Sequence, residues 1–313
     1  TVALRRLQVN LHCTQFLCIF ARKIKSSFEM KKRTLLFALT ALIACTAFGE
    51  KLKVMTFNVR CVVESDGLNQ WKNRKDYAAD LVKFYQPDVW GAQEATHQQM
   101  TDLQERLPEY AYVGVGRDDG KTKGEYSPIF YRKDRFEPVE SGFFWLAEKE
   151  KMHTPGVLGW DAAYPRVATW CIFRDKQSGE KFFFLNTHLD NEGVKARHNG
   201  ADLLLQQTAD LSQGLPSLMT GDFNAVPDDE PIKVITDKAD SRSFVHSRDI
   251  AELAYGPDWT FHDFGRIPYG ERQWLDYIFV KGDWKVVYNA SLTDYMGDLF
   301  PSDHCPVIAL LEF

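Results

Sequence analysis

The sequence predicts an α/β domain built as a pair of mixed β-sheets covered by helices. Three observations carry this. Strand-like and helix-like segments interleave along residues 51–313. The strand candidates at 167–173 and 182–187 are close enough in sequence to pair directly. Apolar runs repeatedly end on polar residues, as where Pro216-Ser-Leu-Met-Thr220 leads into Gly221-Asp222-Phe223-Asn224. That last pattern is expected where buried strands deliver side chains to one rim of a sheet.

Taken in order, residues 51–59 alternate polar and apolar, the period of a strand. Residues 73–86 place Ala78, Leu81, Val82 and Tyr85 on one helical face and stop at Pro87. A short buried strand is expected at 88–93 and a second helix at 97–107. Strands follow at 110–115, 126–131, 167–173 and 182–187. Residues 193–211 form a long helix with Ala201, Leu204, Leu205 and Leu211 as its apolar face. Further strands are expected at 218–220, 275–280 and 306–313.

Residues 1–50 read as processing sequence. Met30-Lys-Lys-Arg33 is a basic start, 34–45 an apolar run too short to span a membrane, and Ala47-Phe48-Gly49 a small-x-small cleavage site. The expected organisation is an upstream, non-native extension at 1–29, a signal peptide at 30–49 and one catalytic domain at 50–313. The product is then exported, periplasmic or secreted. A lipoprotein box ending at Cys45 ranks second, because few residues would separate the lipid from the first strand.

Residues 1–50 hold eight basic and two acidic residues, which leaves 30 basic against 41 acidic in the remainder, a balance of about −11. That balance argues against a protein held on duplex DNA by a broad basic face and suits divalent cations. Cys61, Cys171 and Cys305 are too few and too far apart for a disulfide framework or a zinc pattern.

The polar residues at strand ends are the candidate site. Asn58 closes the first strand, and Glu94 follows the buried run 89–93. A carboxylate placed there is costly unless it is paired or bound to metal. His188 closes 182–187. Asp222 and Asn224 lie two apart and share a face if their strand continues. Asp276 interrupts an apolar run, and Asp303-His304 supplies a histidine that could satisfy it. Singly, each has an ordinary reading as turn, cap or core residue. Together they supply oxygen ligands for a hard cation and two imidazoles, with no thiolate.

In this order, Thr56-Phe57-Asn58, Gln93-Glu94, Asn186-Thr187-His188-Leu189, Gly221-Asp222-Phe223-Asn224, Leu275-Asp276-Tyr277 and Ser302-Asp303-His304 resemble the endonuclease/exonuclease/phosphatase superfamily, that of deoxyribonuclease I. The resemblance spans roughly 51–313. It extends to a secreted bacterial branch through Asp66-Gly-Leu-Asn-Gln-Trp71, Phe143-Phe-Trp-Leu146 and Gly159-Trp-Asp-Ala162. It implies a four-layer sandwich and hydrolysis of a phosphodiester or phosphomonoester by activated water. Glu94 would hold Mg2+ or Mn2+, with Asn58 and Asp303 completing the shell directly or through water. Asp276 would orient His304, and Glu125 would orient His188. Asp222 and Asn224 would position the attacking water or a second metal, His188 and His304 would flank the phosphate, and Arg166, Asn224 and His188 would contact it. Loop aromatics such as Trp71, Trp145 and Trp160 would be either a substrate platform or packing. The expected partner is a small phosphoester or an oligonucleotide, without stable duplex DNA binding or a membrane span, on a monomer. The rivals are a non-specific endonuclease and, in another class, a silent binding module on the same fold. A silent module should have lost metal or histidine positions, and none of them is substituted.

Overall fold

Strand β1, Lys51–Asn58, shows how the layers arise. Leu52 and Val54 pack in one apolar cluster with residues of the second sheet, whereas Met55 and Phe57 pack in another with helical residues. Both faces of the strand are therefore buried, which is why its alternation is imperfect. The computed structural model describes residues 50–312. The signal peptide and upstream extension expected at 1–49 lie outside them.

The remaining elements, in chain order, begin with helix α1 at Trp71–Tyr85, β2 at Val89–Gln93, α2 at His97–Arg106 and β3 at Tyr110–Val113. Next come β4 at Ile129–Arg132, β5 at Phe136–Trp145, β6 at Val167–Asp175, β7 at Lys181–His188 and α3 at Val194–Leu211. The chain continues through β8 at Ser217–Asp222, α4 at Glu230–Thr236, β9 at Val245–His246 and β10 at Leu253–Tyr255. It ends on β11 at Asp276–Lys281, β12 at Lys285–Ser291 and β13 at Val307–Glu312. Among the described residues these strands form a seven-stranded sheet, ordered β10-β12-β13-β1-β2-β4-β3, and a six-stranded sheet, ordered β5-β6-β7-β8-β11-β9. The two sheets pack face to face with helices outside, the expected sandwich. No helix among the described residues is long and apolar enough to cross a membrane.

Local signals account for the helix boundaries. Gln86 ends α1 in the left-handed region, just before Pro87. Thr96 and Gln99 close a reciprocal capping box at the start of α2. The expected strand at 126–131 is shorter in the structure, since Tyr126 makes only isolated bridges to Ala95 and Gly116. Sequence reading missed β5 and β12, as well as the short α4, β9 and β10.

Buried amides tie the two sheets together just beneath the rim. The Gln93 amide donates to Thr56 Oγ1 (3.0 Å) and Asn186 Oδ1 (2.8 Å). Asn186 Nδ2 donates to the carbonyls of Ala92 (2.7 Å) and Pro128 (2.9 Å), and Thr220 Oγ1 donates to Asn186 Oδ1 (2.9 Å). Gly91 makes room for this network. A Cβ there would collide with the side-chain oxygens of Asn186 and Thr220.

Candidate active site

Strand register assembles the site. In the six-stranded sheet, parallel β7 and β8 place His188 opposite Asp222, and antiparallel β11 places Asp276 opposite Asp222 from the other side. In the seven-stranded sheet, β1 and β2 end together at Asn58 and Gln93, one residue before Glu94. Asp303 and His304 enter β13 beside them, because Thr56 pairs with Val307. Six strand ends from two sheets thus converge at one rim, around a cavity of about 510 Å3.

Asp222 Oδ2 is central. It accepts from Asn58 Nδ2 (2.9 Å) and lies 3.5 Å from His188 Nε2 and 3.7 Å from His304 Nε2. Asp222 Oδ1 accepts from Asn224 N (2.9 Å). Burial, then the charge of Asp276, pushes the Asp222 carboxyl up to about 7. Glu94 takes Asn58 Nδ2 on one oxygen (3.0 Å) and Cys61 N on the other (3.0 Å). Burial opposes its ionised form, but the hydrogen bonds from Cys61 and Asn58, with the charge of His304, hold it below the usual carboxylate range. Glu94 (φ 62°) and Asn224 (φ 45°) both sit in the left-handed region, a backbone cost of about 1–3 kcal/mol each that surrounding contacts must hold in place.

The histidines differ. His304 Nδ1 meets Asp276 Oδ2 at 2.8 Å. Thr260 Oγ1 accepts from Leu275 N (2.9 Å) and Asp276 N (3.1 Å), fixing the strand end that carries the carboxylate. Burial works against the charged ring, but Asp276 and Asp222 reverse that and raise His304 to about 10. His188 Nε2 faces the Asn224 amide nitrogen at 3.0 Å and therefore accepts, leaving the ring proton on Nδ1. That buried Nδ1 has no protein partner among the described residues. Burial, then the Arg166 charge, lowers His188 well below 6.5, so it is neutral.

Two expectations need correction, and the open choice for the loop tryptophans is decided. Glu125 does not orient His188. Its two oxygens are held bidentately by Arg117 (2.7 and 3.0 Å), a geometry that consumes the carboxylate. Asn58 reaches the site buried, with its amide nitrogen caught between two carboxylates. Its oxygen accepts from Arg60 N (2.9 Å), so it braces Glu94 and Asp222 in place of offering a metal an oxygen. Trp71 and Trp145 are packing: each is 1% exposed, with Nε1 bonded to Asp102 Oδ2 (2.8 Å) and Arg117 O (2.6 Å) respectively. Trp160 also packs against the core.

Arg166 lines the cavity but is buried and tied to Asp190 Oδ2 (3.2 Å) and Asn191 Oδ1 (2.8 Å). Asp303 lies 3.6 Å from Arg60 Nε and accepts from Ser302 Oγ (3.2 Å). Its carboxyl is pushed up by burial, with His304 opposing. Among the wall residues that sequence reading missed are Arg60, Arg117, Tyr164 and Phe261. Tyr164 stacks with both Arg117 (5.2 Å) and Arg166 (5.7 Å), and Phe261 packs on His304 (4.8 Å). Arg60 alone had a signal, two residues past Asn58.

Glu94, His188 and Asp222 each offer a ligand atom within 4.8 Å of the others, as do Asp222, Asp276 and His304. The first set fits a hard divalent cation. Its donors are carboxylate oxygen and imidazole, with no thiolate.

A two-sheet α/β sandwich with buried carboxylates and two imidazoles on one rim defines a phosphoester hydrolase. The chain belongs to the endonuclease/exonuclease/phosphatase family, whose model matches residues 55–304. An endonuclease/exonuclease/phosphatase from Bacteroides vulgatus superposes with a TM-score of 0.81 at 39% identity, covering 84% of this chain and 99% of that one. A mannosyl-6-phosphatase from Bacteroides thetaiotaomicron gives 0.78 at 36%, covering 84% and 100%. Mouse nocturnin is 25% identical over 206 residues, 60% of this chain but 47% of that protein.

Proposed function

We propose that this family hydrolase cleaves a small phosphoester, with sugar phosphates as the favoured class, through metal- and histidine-assisted attack of water. The convergence of Glu94, His188 and His304 on Asp222, inside one buried cavity, carries this reading. The similarity to a mannosyl-6-phosphatase supports the substrate class. The acidic balance of residues 51–313 supports a small substrate over duplex DNA.

Glu94, with Asp222 and His188 or Asp303, would hold Mg2+ or Mn2+. When bound, the cation offsets charge on the phosphoryl oxygens. The protein's own residues do the rest. His304, protonated on Nε2 and held by Asp276, donates to a phosphoryl or leaving-group oxygen. Asp222, buried beside both imidazoles, would accept a proton from the attacking water. Neutral His188, fixed by Asn224, accepts or donates without adding charge. Arg117 and Arg166, each already paired with a carboxylate, line the cavity and would offer their remaining N–H groups to the phosphate. Export through the leader at 30–49 is part of the proposal.

The test is a panel of phosphomonoesters, phosphodiesters, oligonucleotides and plasmid, assayed in EDTA and after Mg2+ or Mn2+ is restored. Activity on small esters should vanish in EDTA and in Glu94→Ala. Full turnover in either would refute the reading, and plasmid nicking faster than every small substrate would favour a nuclease.

A further inference from the structure

A second cavity, of about 650 Å3, lies against the first and shares His304 with it. Its size falls in the range of small-molecule sites. Besides the shared His304, its walls carry aromatic rings and two charged side chains, Arg272 and Asp294. Phe300 is 5.1 Å from the His262 ring and stacks on Tyr295 at 5.6 Å. The Arg272 guanidinium lies over Trp259 at 4.3 Å. Tyr269 and Tyr295 stand exposed at the edge.

The two charges do not neutralise one another. Arg272 spends Nε on Ile267 O (3.0 Å), and its terminal nitrogens have no hydrogen bond or ion pair among the described residues. Asp294 accepts from Tyr85 Oη (3.0 Å) on one oxygen and has no cation partner among the described residues. His262 Nδ1 accepts from Gly265 N (3.0 Å), which leaves the ring proton on Nε2 as a further donor. One cavity thus presents donors, an anionic acceptor and apolar ring surfaces. A neutral polyol ring satisfies all three, because each hydroxyl donates and accepts while the C–H face packs on aromatic carbon. A flat base is disfavoured, since Arg272 already covers Trp259 and Tyr295 already stacks on Phe300.

We propose that this second cavity is the subsite for the organic half of the substrate and holds a hexose ring, read by Arg272 and Asp294, with its phosphate across the shared His304 wall. This rests on the phosphoester reading above.

Kinetics on a hexose 6-phosphate and on ethyl phosphate, which has no ring to read, test it in the full, metal-supplemented protein. Arg272→Met keeps the stem on Trp259 and removes the charge, and Asp294→Asn keeps an acceptor for Tyr85. Each should raise KM for the hexose phosphate about tenfold, the effect of losing one charged hydrogen bond. Ethyl phosphate kinetics should not move, and Arg272→Lys should recover part of the loss. Equal shifts on both substrates, or none on either, would overturn the subsite. So would the same discrimination shown by adenosine monophosphate in place of the hexose ester. If the wild type cleaves neither ester, the phosphoester reading fails by itself. Calorimetry with the free hexose then decides the cavity: saturable binding weakened in both variants supports it, and no binding overturns it.

Discussion

His304 and His188 approach the same Asp222 oxygen, one from each sheet, and their surroundings give them opposite charge. His304 is bonded across the gap between sheets to Asp276, and the carboxylates around it keep its proton. His188 has an amide on one nitrogen and, among the described residues, no partner on the other, with the Arg166 charge near it. A carboxylate partner, more than burial, decides whether a buried imidazole acts as a cation. The same contrast explains why Glu125 matters less than its position suggests: Arg117 has taken it.

The largest expected effect breaks the His304 side. With folding confirmed by circular dichroism, His304→Ala should lower kcat about 10²–10⁴-fold, and Asp276→Asn should approach that loss because the ring loses its orienting charge. Glu125→Gln should stay within a few-fold of wild type, since no hydrogen bond joins it to His188. A Glu125→Gln loss as deep as that of Asp276→Asn would show that the two sides are built alike.

The next effect is on pH and metal. Asp222 has a carboxyl near 7 in the fold, against an ordinary value of about 3.9. The folded state therefore binds the extra proton between those values, so metal-free protein should lose stability as pH rises through about 4 to 7. His304 acts in the same direction at higher pH: its contribution is full below about 6.5 and is lost as pH rises through about 10. A cation competes with the Asp222 proton, so its apparent affinity should weaken about tenfold per unit below pH 7. Thermal melts with EDTA and with Mn2+, run from pH 5 to 8, should diverge as pH rises. Parallel curves would remove Asp222 from the metal.

A smaller effect tests the support beneath the rim. Gly91→Ala should cost about 1–3 kcal/mol by forcing Asn186 and Thr220 apart, measured by chemical denaturation. A neutral result would show that the buried amide network yields freely.

Much of this was legible because the strands that carry the chemistry are short, buried and end on polar residues. Asn58, Glu94, His188, Asp222, Asp276 and Asp303-His304 could all be read from that pattern, and the structure brings them to one rim. The edge strand β5 was not legible. It is mostly exposed along its middle, and Pro138 sits beside a break in register. Its aromatic end therefore read as a loop. Arg117, Tyr164 and Phe261 escaped for another reason: loops bring them in from afar, and no local period marks them. Asn58 was placed correctly, but its part as a brace was not legible, because only the structure shows two carboxylates sharing its amide nitrogen.

The account's central claim is that one site holds a charged and a neutral imidazole side by side. Proton NMR titration of the ring signals, assigned with His188→Gln and His304→Gln, measures this directly. His304 should keep its proton well above pH 7, and His188 should remain neutral well below pH 6.5. Two histidines that titrate together near 6.5 would contradict it.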